Sequence, residues 1–175
     1  DELEVPLDVT KEALATFGGV GRRFSIIAEI GGVTLVDDYG HHPAEIRVTL
    51  EALRLRAGGR RTVVLFQPHR FTRTAALWDD FCRAFHQADV LLVTDIYAAG
   101  EEPLPGVNGE ALAKAIAERG HRHAAYAGPL AAAAARLAAE VKEGDVVLTL
   151  GAGSVWTAGE DLLKARTREV RKASR

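Results

Sequence analysis

Four short runs, Val33-Thr34-Leu35-Val36, Thr62-Val63-Val64-Leu65-Phe66, Val90-Leu91-Leu92-Val93-Thr94 and Val146-Val147-Leu148-Thr149-Leu150, are almost continuously apolar and β-rich, and helical patterns lie between them. A strand that faces water on one side alternates; one buried on both sides has no polar face to show. Such strands need helices over both faces of their sheet. Strands separated by helical segments of ten or more residues are joined by right-handed crossovers, which makes them parallel.

The remaining segments fill in this frame. Phe24 to Glu29 and Val33 to Val36 flank Gly31-Gly32, a hairpin signal, so the domain opens with an antiparallel pair. Pro43 to Ala57 carries Ile46, Leu50 and Leu53 at helical spacing and stops at Gly58-Gly59. Further helices are predicted over 74–88, 109–119, 129–141 and 156–170, with a weaker strand at 124–127. The whole predicts a Rossmann-like three-layer αβα domain of about six strands, mostly parallel with an antiparallel first strand. Residues 1–20, with a short helical pattern from Thr10 to Phe17 ended by Gly18-Gly19, are expected to be a linker or hinge; 21–170 is the domain and 171–175 a basic tail. Ile96 to Val107 is the longest irregular loop and is expected to be mobile.

Composition removes several function classes. A formal net charge of −2 and a pI near 6.3 do not supply the basic surface that a dedicated nucleic-acid binder uses to displace counterions. No apolar run approaches the roughly 20 residues of a membrane span, and Asp1-Glu2-Leu3-Glu4 is not the basic start of a signal peptide. The lone cysteine, Cys82, falls in a helical pattern and is expected to be a small buried hydrophobe. These features fit a soluble cytoplasmic protein. With no Met anywhere, the chain is expected to be a piece of something longer.

Chemistry-bearing side chains gather in segments that follow predicted strands, where open α/β sheets place ligands. Asp37-Asp38-Tyr39-Gly40-His41-His42-Pro43 puts two carboxylates, a phenol and two imidazoles on one crossover. A carboxylate such as Asp38 can accept two ribose hydroxyls, and a ring such as Tyr39 can stack on a base. His69, Arg70 and Arg73 follow a buried strand at a helix start, and guanidinium forks there make a compact anion site. Gly151-Ala152-Gly153-Ser154 is a GxG turn without the third glycine of a dinucleotide fingerprint, so close packing of strand on helix explains it as well as phosphate binding does.

The runs DDYGHHP, from Asp37, and FQPHRFTRT, from Phe66, resemble the C-terminal domain of the Mur ligases, the ATP-dependent enzymes that extend the peptidoglycan precursor. Fainter matches extend the likeness from about Gly18 to Gly151-Ala152-Gly153 and the helix after it. The second run is most similar to the members that join L-alanine to UDP-N-acetylmuramate. The resemblance implies that Asp38 meets the ATP ribose, Tyr39 the adenine and Arg23, of the Arg22-Arg23 pair, the ATP phosphates. It implies substrate binding by His41, His69, Arg70 and Arg73, with His42, Gly151 and Ser154 as further candidates. The cofactors it implies are ATP and Mg, and the partners are UDP-N-acetylmuramate, L-alanine and the remaining domains. No GxxxxGK[ST] loop occurs here, and Mur ligases keep their phosphate loop and Mg ligands in a central domain, so no catalytic residue and no metal ligand is assigned to this chain.

Other readings compete. A related Mur ligase that recycles a murein tripeptide also has a paired-His loop. A non-enzymatic nucleotide-binding module would use the same residues. Asp38, His41, His42 and His69 could together make the metal site of a hydrolase.

Overall fold

The computed structural model describes residues 5–16 and 21–173. Gly18-Gly19 and the last two residues of the predicted tail lie outside them. Six strands form one sheet: β1 (Ser25–Ile30), β2 (Val33–Asp38), β3 (Thr62–Phe66), β4 (Val90–Thr94), β5 (Ala124–Gly128) and β6 (Val146–Leu150), in the order β1-β2-β6-β3-β4-β5. The β1–β2 pair is antiparallel and every other pairing is parallel, as expected.

Side chains one residue apart on a strand leave the sheet on opposite faces. Val36, Val64, Phe66, Leu91, Val93, Leu148 and Leu150 meet α2 (Pro43–Ala57), α4 (Trp78–Cys82) and α5 (Gly109–Glu118). Val33, Leu35, Val63, Leu65, Leu92 and Val147 meet α6 (Leu130–Glu140) and α7 (Trp156–Ala173) on the other face. Cys82 sits in the first cluster, and burial pushes its thiol up, as fits a packing residue. Each fully buried Leu, Ile, Val or Phe contributes about 1.5–3 kcal/mol relative to exposure.

Three elements differ from the sequence expectation by three residues or more. The segment predicted as one helix over 74–88 is two, α3 (Phe71–Ala76) and α4, separated at Leu77 with φ −112° and ψ 23°. Beyond α4 the amides of Arg83, Ala84 and Ala88 donate three residues back, which tightens the chain and buries Phe81, Cys82, Ala84, Phe85 and Ala88 together. The final helix runs through Ala173, so the basic tail begins inside it. The first helix, α1 (Leu7–Thr16), starts earlier than the pattern indicated and buries none of its residues. Among the described residues no helix is long and apolar enough to cross a membrane.

Candidate functional site at the carboxyl edge of the sheet

Because β2, β6, β3 and β4 are parallel neighbours, the segments after them leave the sheet side by side. They are also sewn together. The Gly151 amide donates to the Asp38 carbonyl (3.0 Å), the Gln67 amide to the Leu150 carbonyl (3.0 Å), and the Val155 amide to the buried Oε1 of Gln67 (3.1 Å). Gly151 has φ +145°, and a Cβ there would lie 2.6 Å from the Gln67 carbonyl oxygen. A Cβ on Gly153 would lie 2.4 Å from Gln67 Oε1 and 2.7 Å from Tyr97 Cγ. The GxG turn is therefore required by packing; Ser154 contributes its carbonyl, which accepts from the Thr157 amide and hydroxyl.

In the first loop Asp37 and Asp38 end β2 and point to opposite faces. Asp38 is 5% exposed. Its Oδ2 accepts from the Phe24 amide (2.7 Å), and its Oδ1 accepts from the Gly40 amide (2.6 Å) and the Thr49 hydroxyl (3.3 Å). A carboxylate offers about four lone-pair directions, so about one remains. Asp37 accepts from the Thr149 hydroxyl (2.6 Å) and from Arg22 Nε (2.9 Å). Arg22, in the left-handed region at φ 59°, also donates to the carbonyls of Gly151 (2.7 Å) and Gly153 (3.3 Å). Arg23, the arginine the resemblance favoured, is half-exposed and pairs with Glu45 at 3.9 Å. Both guanidiniums lie over the Tyr39 ring, at 5.2 and 5.8 Å.

The two histidines of this loop divide. His42 is exposed and caps α2: its Nδ1 accepts from the Ala44 amide, while Glu45 reaches back to the His42 amide. Burial pushes the Glu45 carboxyl up, but the His41 and His42 amides and the nearby His41 and Arg23 charges outweigh it and hold the group below its ordinary value. His41 is half-buried, and its Nδ1 lies 3.1 Å from the Tyr39 carbonyl. A carbonyl only accepts, so Nδ1 carries the proton of that bond. The rings of Tyr39 and His41 meet edge to face at 5.4 Å.

His41 is also where the loops converge, since its ring centroid is 5.7 Å from that of His69. Arg73 Nη1 lies 3.3 Å from His69 Nδ1, and a guanidinium has only donors. Nδ1 therefore accepts, and a neutral His69 carries its proton on Nε2. Burial, then the charges of Arg73, His41 and Arg70, push the His69 pKa below its ordinary value, which favours the neutral ring. Arg70, with φ 73°, is exposed, and its amide donates to the Tyr97 carbonyl (2.8 Å). Asp38 and His42 are thus turned to their own backbone partners while His41 and His69 meet, so the four metal candidates do not share a point. Among the described residues no group of three or more His, Cys, Asp or Glu is placed to hold a metal ion.

The 95–108 segment, expected to be a mobile loop, is tied to the α3 side of the site at two residues. Tyr97 makes a two-bond bridge around His69, and the Thr72 amide (3.0 Å) and hydroxyl (2.6 Å) donate to Glu101. Sequence reasoning missed Arg22, Gln67 and Tyr97. A wider hollow of about 1210 Å³ opens at the opposite edge, among Arg54, Arg61, His86, His121, Arg122 and Arg136, and none of the predicted site residues lines it.

Residues 22–153 match the family of the Mur ligase glutamate ligase domain. The chain is 60% identical over 157 residues to the UDP-N-acetylmuramate–L-alanine ligase of Sorangium cellulosum, covering 89% of this chain and 34% of that protein. It is 60% identical over 164 residues to the enzyme of the same name from Anaeromyxobacter, covering 93% and 35%. The solved UDP-N-acetylmuramate–alanine ligase of Thermotoga maritima superposes with a TM-score of 0.71 at 28% identity, over 97% of this chain and 35% of that one. The chain therefore spans about a third of the length of the relatives it matches.

Proposed function

The chain belongs to the Mur ligase family through its glutamate ligase domain, and from that premise we propose that it is the C-terminal domain of a cytoplasmic ATP-dependent ligase joining L-alanine to UDP-N-acetylmuramate. ATP supplies a phosphoryl group that activates the muramyl carboxylate as an acyl phosphate. The alanine amine then displaces phosphate. The residues of this chain bind, orient and neutralise, because phosphoryl and acyl transfer of this kind are accelerated by placed charges.

One observation carries the reading: His41, His69 and Arg73 meet where three sheet-edge segments are hydrogen-bonded together. Around them stand neutral Nε2–H donation from His69, the fork of Arg73 and the exposed charge of Arg70, a set suited to a carboxylate or a developing oxyanion. Tyr39 offers the nucleotide side a ring with the half-exposed charge of Arg23 beside it, while Arg22, paired with Asp37, backs the ring. Asp38 fixes the loop that carries Tyr39 and keeps about one acceptor direction for a ribose hydroxyl. Magnesium bound to the ATP would take its protein ligands from the part of the protein that lies outside this chain. His42 works as a helix cap, and Gly151 and Ser154 shape the floor of the site.

The test uses the full-length protein and this chain side by side, measuring phosphate release with Mg-ATP, UDP-N-acetylmuramate and L-alanine. We expect turnover from the full-length protein and none from the chain alone. Turnover by the chain alone, or a full-length protein that uses a murein tripeptide in place of alanine, would overturn the assignment.

A further inference from the structure

Tyr97 is 41% exposed, yet one face of its ring is committed. It stacks on His69 with centroids 5.4 Å apart and planes 14° from parallel. The backbone locks that register from both sides, because the Tyr97 amide donates to the Pro68 carbonyl and the Arg70 amide to the Tyr97 carbonyl, each at 2.8 Å. Gly153 stands where any Cβ would lie 2.7 and 2.9 Å from Tyr97 Cγ and Cδ2, so the glycine turn packs directly against the ring. The segment is anchored on either side of Tyr97. The Asp95 amide donates to the Gly128 carbonyl (3.3 Å), the Tyr126 hydroxyl donates to Asp95, and Glu101 holds the start of α3 through Thr72.

From this geometry we infer that Tyr97 is a positioning residue of the proposed ligase site, acting through His69: it clamps the imidazole plane while Arg73 fixes Nδ1, so that Nε2–H is presented to the muramyl or alanine substrate in one orientation. The inference rests on the proposed ligase reading and adds a residue to it. An imidazole that can turn about its side-chain bonds offers its donor in many directions. With one edge held by a guanidinium and one face by a ring, it has a single direction left, and a misplacement of about 1 Å in such a group can cost up to a hundredfold in rate. His69 is faced by Arg73 and Arg70 from α3 and its cap, by His41 from the β2–α2 loop, and by Tyr97 and Glu101 from the β4–α5 segment. The Tyr97 ring adds to the burial that keeps His69 neutral.

Two measurements test this. In this chain, labelled for NMR, the His69 Cε1–H signal is followed through a pH titration in wild type, Y97F and Y97L, with the His121 signal as a check on folding. Y97F is expected to overlay wild type. Y97L is expected to lose the ring-current displacement of the His69 signal and to move its titration midpoint upward, since the imidazole regains water. In the full-length ligase, Y97L is expected to lower kcat/KM for UDP-N-acetylmuramate or alanine about tenfold with the KM for ATP unchanged, and Y97F to stay within about twofold. A His69 titration in Y97L that matches wild type, or a Y97F enzyme as impaired as Y97L, overturns the positioning role while leaving the ligase assignment standing. A wild-type full-length protein without ligase turnover overturns both.

Discussion

Replacing Arg22 with Ala removes a side chain that ties the entrance of the domain to two of its site loops. Its guanidinium holds the Asp37 carboxylate at 2.9 Å and the carbonyls of Gly151 and Gly153 at 2.7 and 3.3 Å. A hydrogen bond to a charged group contributes about 1.5–3 kcal/mol, and breaking a buried ion pair costs about 3–5 kcal/mol. The arginine side chain is 29% exposed, so water replaces part of what is lost, and Asp37 keeps the Thr149 hydroxyl at 2.6 Å. The expected loss is about 2–3 kcal/mol, below the full buried-pair cost and within the range of a charged hydrogen bond. At about 2–4 °C per kcal/mol for a domain of this size, the melting temperature should fall by about 4–12 °C. R22K should recover part of the loss, because an ammonium can pair with Asp37 but cannot fork to both carbonyls. R23A is the control: it removes a half-exposed arginine whose ion pair is 3.9 Å long, and surface substitutions stay within about 0.5 kcal/mol. Urea unfolding of the four proteins decides the matter. If R22A and R23A unfold at the same midpoint, Arg22 does not fasten the glycine loop.

D38N keeps the shape of Asp38 but sets an NH₂ against a donor, the Phe24 amide in one orientation of the amide group and the Gly40 amide in the other; an unfolding free energy lower by about 1–3 kcal/mol is expected from urea curves, and an unchanged midpoint would show that the carboxylate does not hold the loop. G153A forces a Cβ to within 2.4 Å of Gln67 Oε1 and 2.7 Å of Tyr97 Cγ, so it should destabilise the chain by about 1–3 kcal/mol and shift the NMR signals of Tyr97 and His69; intact signals would refute the close approach. His121, 6% exposed, and His69 both have pKa values lowered chiefly by burial from the ordinary 6.5. The unfolded chain then binds more protons than the folded one as pH drops through 6.5, so stability is fully present above that pH and is lost progressively below it, down to the folded values. H121F should flatten the decline in urea midpoint between about pH 7.5 and 5.5; a variant with the wild-type slope would show that His121 does not carry it.

The fold was legible because its strands are buried on both faces. Val63 and Leu65 face α6 and α7 while Val64 and Phe66 face α2, α4 and α5, and a run with two apolar faces has few alternatives to a covered parallel strand. The break at Leu77 was not legible. Positions 74–88 keep a helical stripe, and only the tertiary demand to bury Phe81, Cys82, Ala84, Phe85 and Ala88 together selects the tighter turns after α4. Nor can composition show that Tyr97 and Glu101, in the loop expected to be mobile, find partners on a segment about 30 residues earlier.

The site divides along the same line between what a motif shows and what a backbone angle decides. His41, His69 and Arg73 were readable from the residues that follow β2 and β3, because parallel strands deliver those residues to one edge. The choice between Arg22 and Arg23 was not, since adjacent arginines are equivalent as letters. Arg22 takes φ 59°, and its side chain reaches Asp37, Gly151 and Gly153 while its neighbour stays half-exposed. Strand parity separates Asp37 from Asp38 in the same way. The odd position shares its face with Leu35 and meets Thr149 and Arg22; the even one shares its face with Val36 and meets Thr49 of α2. Two identical letters thus do two jobs, one joining the arginine to the glycine loop and the other shaping the turn that presents Tyr39 and His41. A substitution at either should be felt first in the geometry of the loops and through them in the chemistry they carry.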